Sequence, residues 1–185
     1  MTRVVAVSGS RREGSYTLKA LRYALDGAEA AGAETDLVDL GSVDLPLYHP
    51  DEDEQGESEA LMRRMRAADG VVLGSPNYHG SYSSTFRNFH DYCSYDEYED
   101  TAVGLLTVAG GGTIASVLDH MRVTVRGVHG YAIPHQVGIR NASSKFDGDE
   151  FTDDALRERT EKLGRKVTEQ ARLLQTAGRP VSADD

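Results

Sequence analysis

The sequence predicts an α/β protein in which helices cover both faces of a parallel sheet. Apolar runs such as Val4–Val7 do not alternate with polar residues, as expected of strands buried on both sides. Between them lie segments whose apolar residues recur at spacings of three and four, the period of a half-buried helix. The two patterns alternate five times along the chain, and right-handed crossovers of this length leave few other topologies.

Arg3–Ser8 is the first strand. A helix follows from Tyr16, with Leu18, Leu21, Ala24, Leu25 and Ala28 on one face and Gly32 placed to end it. Glu34–Leu40 alternates enough to be a second strand, and Pro46 and Pro50 keep the long connection after it from being helical. Glu57–Ala68 is a short helix with Leu61, Met62 and Met65 inward and its arginines outward. Gly70–Pro76 is the third strand, and Ser83–Tyr92 the third helix, with Ser83 or Ser84 suited to cap it. Thr101–Gly112 is a fourth strand running into a triple-glycine turn, followed by a helix over Thr113–Arg126. Tyr131–Ile139 holds the fifth strand and the last helix spans roughly Asp153–Thr176. Residues 1–177 are expected to form a single domain, with 178–185 as a frayed tail.

The 185 residues suit one well-buried domain, on a prior of roughly 100 to 200 residues per domain. The only cysteine, Cys93, excludes an internal disulfide, and no cluster of thiolates or histidines suggests a metal site. No stretch approaches the roughly 18 apolar residues needed to span a membrane, so a cytoplasmic location is expected. The formal charge is −10, from 30 acidic and 20 basic residues, and the basic set is 16 Arg against 4 Lys. That field repels a phosphate backbone and argues against nucleic acid as a partner. The acidic excess sits in Asp51–Glu59, Ser94–Asp100 and Asp147–Asp154, read as solvated loops. Together with scarce lysine it also suggests adaptation to high salt.

Ligands of such sheets bind at the carboxyl ends of the strands. Three loops there are unusual: Ser8–Ser15, Pro76–Tyr82 and Ala109–Gly112. In the first, Gly9 and Gly14 lack the spacing of a dinucleotide fingerprint, and no Gly-Lys-Ser/Thr follows to make a P-loop. Its hydroxyls on Ser8, Ser10, Ser15 and Thr17, its cations Arg11 and Arg12, and the amides opening a helix suit a terminal phosphate dianion. Ser10, Arg12, Ser15 and Thr17 are the best ligands by spacing; the plainer alternative is an ordinary turn with Ser15 as helix cap. The second loop offers peptide edges, Tyr78 and a close approach at Gly80, a wall for a planar aromatic cofactor. Its plainer alternative makes Tyr78 and Tyr82 half-buried aromatics and His79 a surface residue. Gly110, Gly111 and Gly112 leave amides bare beside a helix start, where the electron-rich end of a reduced ring can be held; the plainer alternative is a glycine-rich turn of no chemical meaning.

These residues resemble the NAD(P)H-dependent FMN reductases of flavodoxin-like fold, a family that includes quinone, azo-dye and chromate reductases. The family pattern Gly-Ser-x-Arg-x-x-Ser-x-Asn/Thr is matched by Gly9, Ser10, Arg12, Ser15 and Thr17. Its second pattern is matched by Pro76, Tyr78, His79, Gly80 and Ser81, then Arg87, Asn88, Asp91 and Tyr92 on the following helix. Gly110–Gly112 corresponds more loosely to the third flavin contact. This chain has Ser83 where relatives commonly have proline, and Asn77 where they often have glutamate or glutamine.

The resemblance implies a three-layer sandwich with a five-stranded parallel sheet of order 2-1-3-4-5. It implies FMN as cofactor, contacted by Ser8, Ser10, Arg12, Ser15, Tyr16, Thr17, Pro76, Asn77, Tyr78, His79, Gly80, Ala109, Gly110, Gly111 and Gly112. NADPH or NADH would give hydride to flavin N5, and a quinone-like or other small acceptor would then take the electrons in the same place. FMN carries that chemistry, so no protein nucleophile is required, with Tyr78 and His79 as candidate contributors. Homodimers or homotetramers are implied, and Asp91–Tyr98 is expected either in a subunit interface or as an exposed acidic loop. The competing reading is an FMN-binding electron carrier of flavodoxin type that needs a partner reductase.

Overall fold

The computed structural model describes residues 1–53 and 55–177, so the expected tail at 178–185 lies outside the described residues. Five strands, β1 (Arg3–Ser8), β2 (Glu34–Asp39), β3 (Gly70–Pro76), β4 (Ala102–Val108) and β5 (Tyr131–Ile139), form one parallel sheet in the order β2-β1-β3-β4-β5. The helices are α1 (Tyr16–Ala30), α2 (Ser58–Arg66), α3 (Ser84–Tyr92), α4 (Tyr95–Tyr98), α5 (Ala115–Gly127) and α6 (Asp154–Ala177). A 3-10 turn at Ala142–Ser144 and a hairpin of β6 (Phe146–Asp147) and β7 (Glu150–Phe151) lie between β5 and α6. This is the flavodoxin-like three-layer fold that the sequence implied.

Both faces of the sheet are apolar because successive side chains of each strand point to opposite layers. Val4 and Ala6 of β1, Val72 of β3 and Leu106 of β4 join Leu21, Ala24, Leu163 and Val167 from α1 and α6. Val5, Val7, Val71, Leu73, Val103 and Leu105 face the other way, onto Leu61, Met65, Phe86, Phe89, Val117 and Met121 from α2, α3 and α5. The first layer is very close. A Cβ added to Gly27 of α1 would stand 1.9 Å from the Glu161 carbonyl oxygen, and one on Gly164 of α6 would stand 1.7 Å from that of Ala24.

The strands fall where the periodicity places them, and the helices agree to within two or three residues at each end. The fourth strand stops at Val108, which leaves Gly110–Gly112 as the turn. The stretch Asp91–Tyr98 needs correction where it was expected as an exposed acidic loop. Cys93, Glu97 and Tyr98 turn inward, Tyr98 with no exposed surface, and Glu97 accepts from Arg66 at 2.8 Å and from the Ser94 amide at 2.8 Å. A capping box at Ser94 and Glu97 makes the short α4, and Ser94, Tyr95 and Asp96 keep the exposed face.

Candidate active site

The sheet's hydrogen-bond ladder continues past the strand ends into the loops. The Gly9 amide donates to Gly74 O at 2.8 Å, Asn77 to Val108 O at 2.8 Å, Ala109 to Ile139 O at 2.8 Å and Ala142 to Ala109 O at 3.1 Å. Four loops are thereby held in register at the carboxyl edge. They enclose a cavity of about 270 Å³. Its lining is Ser10, Arg12, Ser15, Tyr16 and Thr17 after β1, Pro76, Asn77 and Tyr78 after β3, Val108, Ala109 and Gly110 after β4, and Ala142 and Ser143 after β5. A larger open groove of about 830 Å³ lies at the opposite edge, among Thr2, Asp69, Thr101 and Arg172, where the strands begin. Position decides between them, because the crevice of an open α/β sheet lies at its carboxyl edge.

Ser15 caps α1, its Oγ accepting from the Leu18 amide at 3.3 Å. Ser10 Oγ accepts from the Arg12 amide at 3.4 Å, which folds the loop over the helix start. Arg12 is exposed and forms no ion pair among the described residues, so its charge is available to the cavity. Thr17 is buried beside it. Hydroxyls, one unpaired guanidinium and a helix amino terminus are the donor set of a phosphate site. Tyr16 leans on Phe146 with ring centroids 5.3 Å apart, so the β6–β7 hairpin supports this wall.

The β3 loop is a tight turn. Tyr78 and Ser81 exchange both backbone hydrogen bonds, at 2.9 and 3.2 Å, and the two residues between them have positive φ: 55° at His79 and 85° at Gly80. Such a conformation suits Gly80 and is tolerated by His79, as in the primed hairpin turns. Asn77 braces it: Oδ1 accepts from the Gly80 amide at 2.9 Å, while Nδ2 donates to Thr113 O at 2.6 Å across the gap to the glycine loop. Ser116 Oγ donates to Gly80 O at 2.8 Å, and Ser81 Oγ meets His120 Nδ1 at 3.0 Å. Gly110 has open space around its Cα, and Gly112 adopts a φ of 72°.

The structure therefore brings together ten of the expected contacts: Ser10, Arg12, Ser15, Tyr16, Thr17, Pro76, Asn77, Tyr78, Ala109 and Gly110. Ser8 lies beneath the loop, fully buried, with its Oγ unpartnered among the described residues. His79, Gly80, Gly111 and Gly112 follow the lining residues Tyr78 and Gly110 in the chain and do not line the cavity. Val108, Ala142 and Ser143 line it without having been expected. The strand-end rule alone pointed to the loop after β5, but its small side chains carry no motif.

Fold and crevice together define a flavodoxin-like α/β protein with a ligand cavity across its carboxyl-edge loops. The family model for NADPH-dependent FMN reductase matches residues 2–144, and the chain belongs to that family. It is accordingly an oxidoreductase that works with FMN and NADPH. It is 32% identical over 156 residues to the FMN-dependent NADPH-azoreductase of Staphylococcus haemolyticus, covering 80% of this chain and 83% of that protein. Among solved structures, RosB with a bound 8-demethyl-8-formylriboflavin-5′-phosphate superposes with a TM-score of 0.81 at 16% identity, over 97% of this chain and 82% of the other. The flavodoxin-like WrbA-like protein of Agrobacterium tumefaciens gives 0.67 at 17% identity, over 94% and 99%. The two structural likenesses speak to the fold.

Proposed function

We propose that FMN lies across the carboxyl-edge cavity, with its phosphate among Ser10, Arg12, Ser15 and Thr17 and its ring between Pro76–Gly80 and Ala109–Gly112. One observation carries this reading: a single cavity joins the unpaired Arg12 and the α1 amino terminus to the peptide edges of Pro76–Tyr78 and Gly110. When bound, FMN supplies the redox chemistry, taking a hydride from NADPH or NADH and passing electrons to the acceptor. The residues bind and orient it. Arg12 and the helix dipole offset the phosphate charge. Asn77 fixes the two loops that flank the ring, and Tyr78, 52% exposed, presents a face against which a planar reactant stacks. The open side at Gly110 leaves room for backbone amides to meet the ring's carbonyl edge.

Donor and acceptor use the same exposed ring face in turn, a two-step exchange that requires the first product to leave. A quinone-like acceptor fits this reading, and so does an azo compound, given the named activity of the Staphylococcus relative. Residues 1–177 act as a single domain, and the chain works in the cytoplasm as a homodimer or homotetramer. Exposed Leu47 and Tyr48 beside α3 are apolar surface for an assembly to cover. No described helix is long and apolar enough to cross a membrane.

The test is anaerobic. Protein loaded with FMN and freed of excess is mixed with NADPH or NADH while flavin absorbance is followed. Rapid bleaching, restored by quinone or azo dye, with parallel double-reciprocal plots, is the expected result. Retained flavin that neither nucleotide bleaches would favour an electron carrier, and loss of all flavin would overturn the site.

A further inference from the structure

The connection after β5 carries a second cavity, of about 550 Å³, lined by Arg140, Asn141, Lys145, Asp153 and Arg159 together with small and apolar residues. It adjoins the first. Asn141 lines it while the next two residues, Ala142 and Ser143, line the flavin cavity. Asn141 Oδ1 also stands 3.8 Å from where a Cβ on Gly111 would be.

Its charges do not cancel. Lys145 Nζ pairs with Asp153 Oδ2 at 2.9 Å, and Asp153 Oδ1 caps α6 by accepting from the Leu156 amide at 3.0 Å. Those contacts, Lys145 foremost, hold the Asp153 carboxyl below its usual range, so that pair is neutral overall. Arg159 donates to Gln136 O at 3.2 Å and has no carboxylate partner among the described residues. Arg140 is exposed, with neither a side-chain hydrogen bond nor an ion pair among the described residues. Two uncompensated guanidiniums thus face one cavity on a chain of formal charge −10. A guanidinium fork matches a phosphate, and a polyanion approaching an acidic protein needs such local cations.

We propose that the Arg140–Arg159 cavity receives the 2′-phosphate of NADPH and so selects it over NADH. This rests on the reading of the flavin cavity above. In the sheet order, two strands, β3 and β4, separate the β5 loop from the β1 loop, so it lies beyond the ring and away from the phosphate cradle at Arg12. A nicotinamide stacked on the ring leaves the rest of its dinucleotide to run outward over the rim. The 2′-phosphate is the one group that distinguishes NADPH from NADH, and this is a cationic cavity contiguous with that rim.

The test uses FMN-loaded wild type and Arg140→Ala, each titrated calorimetrically with adenosine 2′,5′-bisphosphate and with adenosine 5′-monophosphate. Arg140 supports no described contact, so the variant keeps its fold and flavin, checked by melting and by absorbance. The bisphosphate binds wild type more tightly than the monophosphate, and Arg140→Ala loses about ten-fold or more of that advantage. The variant's kcat/KM for NADPH falls by a like factor while that for NADH is unchanged. Equal binding of the two probes to wild type, or a loss shared by NADH, overturns the proposal. A variant unchanged with both donors but slower with a sulfonated azo acceptor also overturns it, since the anion then belongs to the acceptor. Failure of the underlying reading is seen separately: wild type that loses its flavin overturns the flavin cavity, and retained flavin that neither nucleotide bleaches overturns the reductase.

Discussion

Ser83 Oγ donates to the Gly9 carbonyl at 2.6 Å and accepts from the Phe86 amide at 3.0 Å, joining the loop after β1 to the start of α3. Its own amide donates to Ser75 Oγ at 2.9 Å. Ser83→Ala removes the cap and leaves a buried carbonyl unpaired, so stability in urea falls by about 1–3 kcal/mol. Ser83→Pro deletes the bond to Ser75 as well. It is expected to be no more stable than the alanine variant, although proline is common at this position in the family the sequence resembles.

Arg12→Ala removes the one guanidinium that lines the carboxyl-edge cavity proposed for FMN. A charge-assisted contact contributes about 1.5–3 kcal/mol, so FMN affinity should fall roughly ten- to a hundred-fold. Flavin fluorescence titration measures this, and an unchanged dissociation constant would remove Arg12 from the phosphate site.

Gly164→Ala forces a methyl against the backbone of α1 and is expected to cost about 1–3 kcal/mol or more, read as a lowered melting temperature. Gly127, at the end of α5, is the control. Nothing lies within 4 Å of a Cβ built there, so Gly127→Ala should raise stability by about 0.5–1 kcal/mol.

His90 is buried, stacked on Phe86 at 5.9 Å and edge-on to Tyr98 at 5.4 Å. Burial above all pulls its pKa below the ordinary value of 6.5; Arg87 adds to this, while the Thr124 backbone and Asp91 oppose it. The unfolded chain therefore takes up a proton at His90 before the folded one does. Stability is full above pH 6.5 and is lost as pH falls from there toward the folded pKa. His90→Phe should flatten that part of the profile, and melting curves from about pH 7.5 down to about pH 5.5, roughly one unit on either side of the reference value, would match those of wild type if His90 is irrelevant.

The acidic runs predict that added salt raises the melting temperature by screening like charges. A melting temperature indifferent to salt would sink the high-salt reading.

The sheet was legible because the central strands β1, β3 and β4 are apolar on both faces, and the loop after β1 because Ser10, Arg12, Ser15 and Thr17 combine hydroxyls, a cation and a helix start within eight residues. Two regions escaped. Tyr95–Tyr98 is too short to show a helical period, and its acidic neighbours disguise the wholly buried Tyr98. The segment from Asn141 to Phe151 folds through tertiary contacts, Phe146 on Tyr16 and Phe151 on Tyr23, which no local pattern encodes. For that reason Ala142 and Ser143 could be found only once α1 and the hairpin were placed together.

The bonds Gly9–Gly74, Asn77–Val108, Ala109–Ile139 and Ala142–Ala109 make the mouth of the cavity an outgrowth of the sheet. Its walls are tied by backbone hydrogen bonds to the strands that bear them. Ligands then meet a shape that exists before they arrive, with little ordering entropy left to lose on capture. On the proposed two-step exchange, turnover would then be paced by how fast one small molecule vacates the ring face for the next, rather than by the swing of a lid.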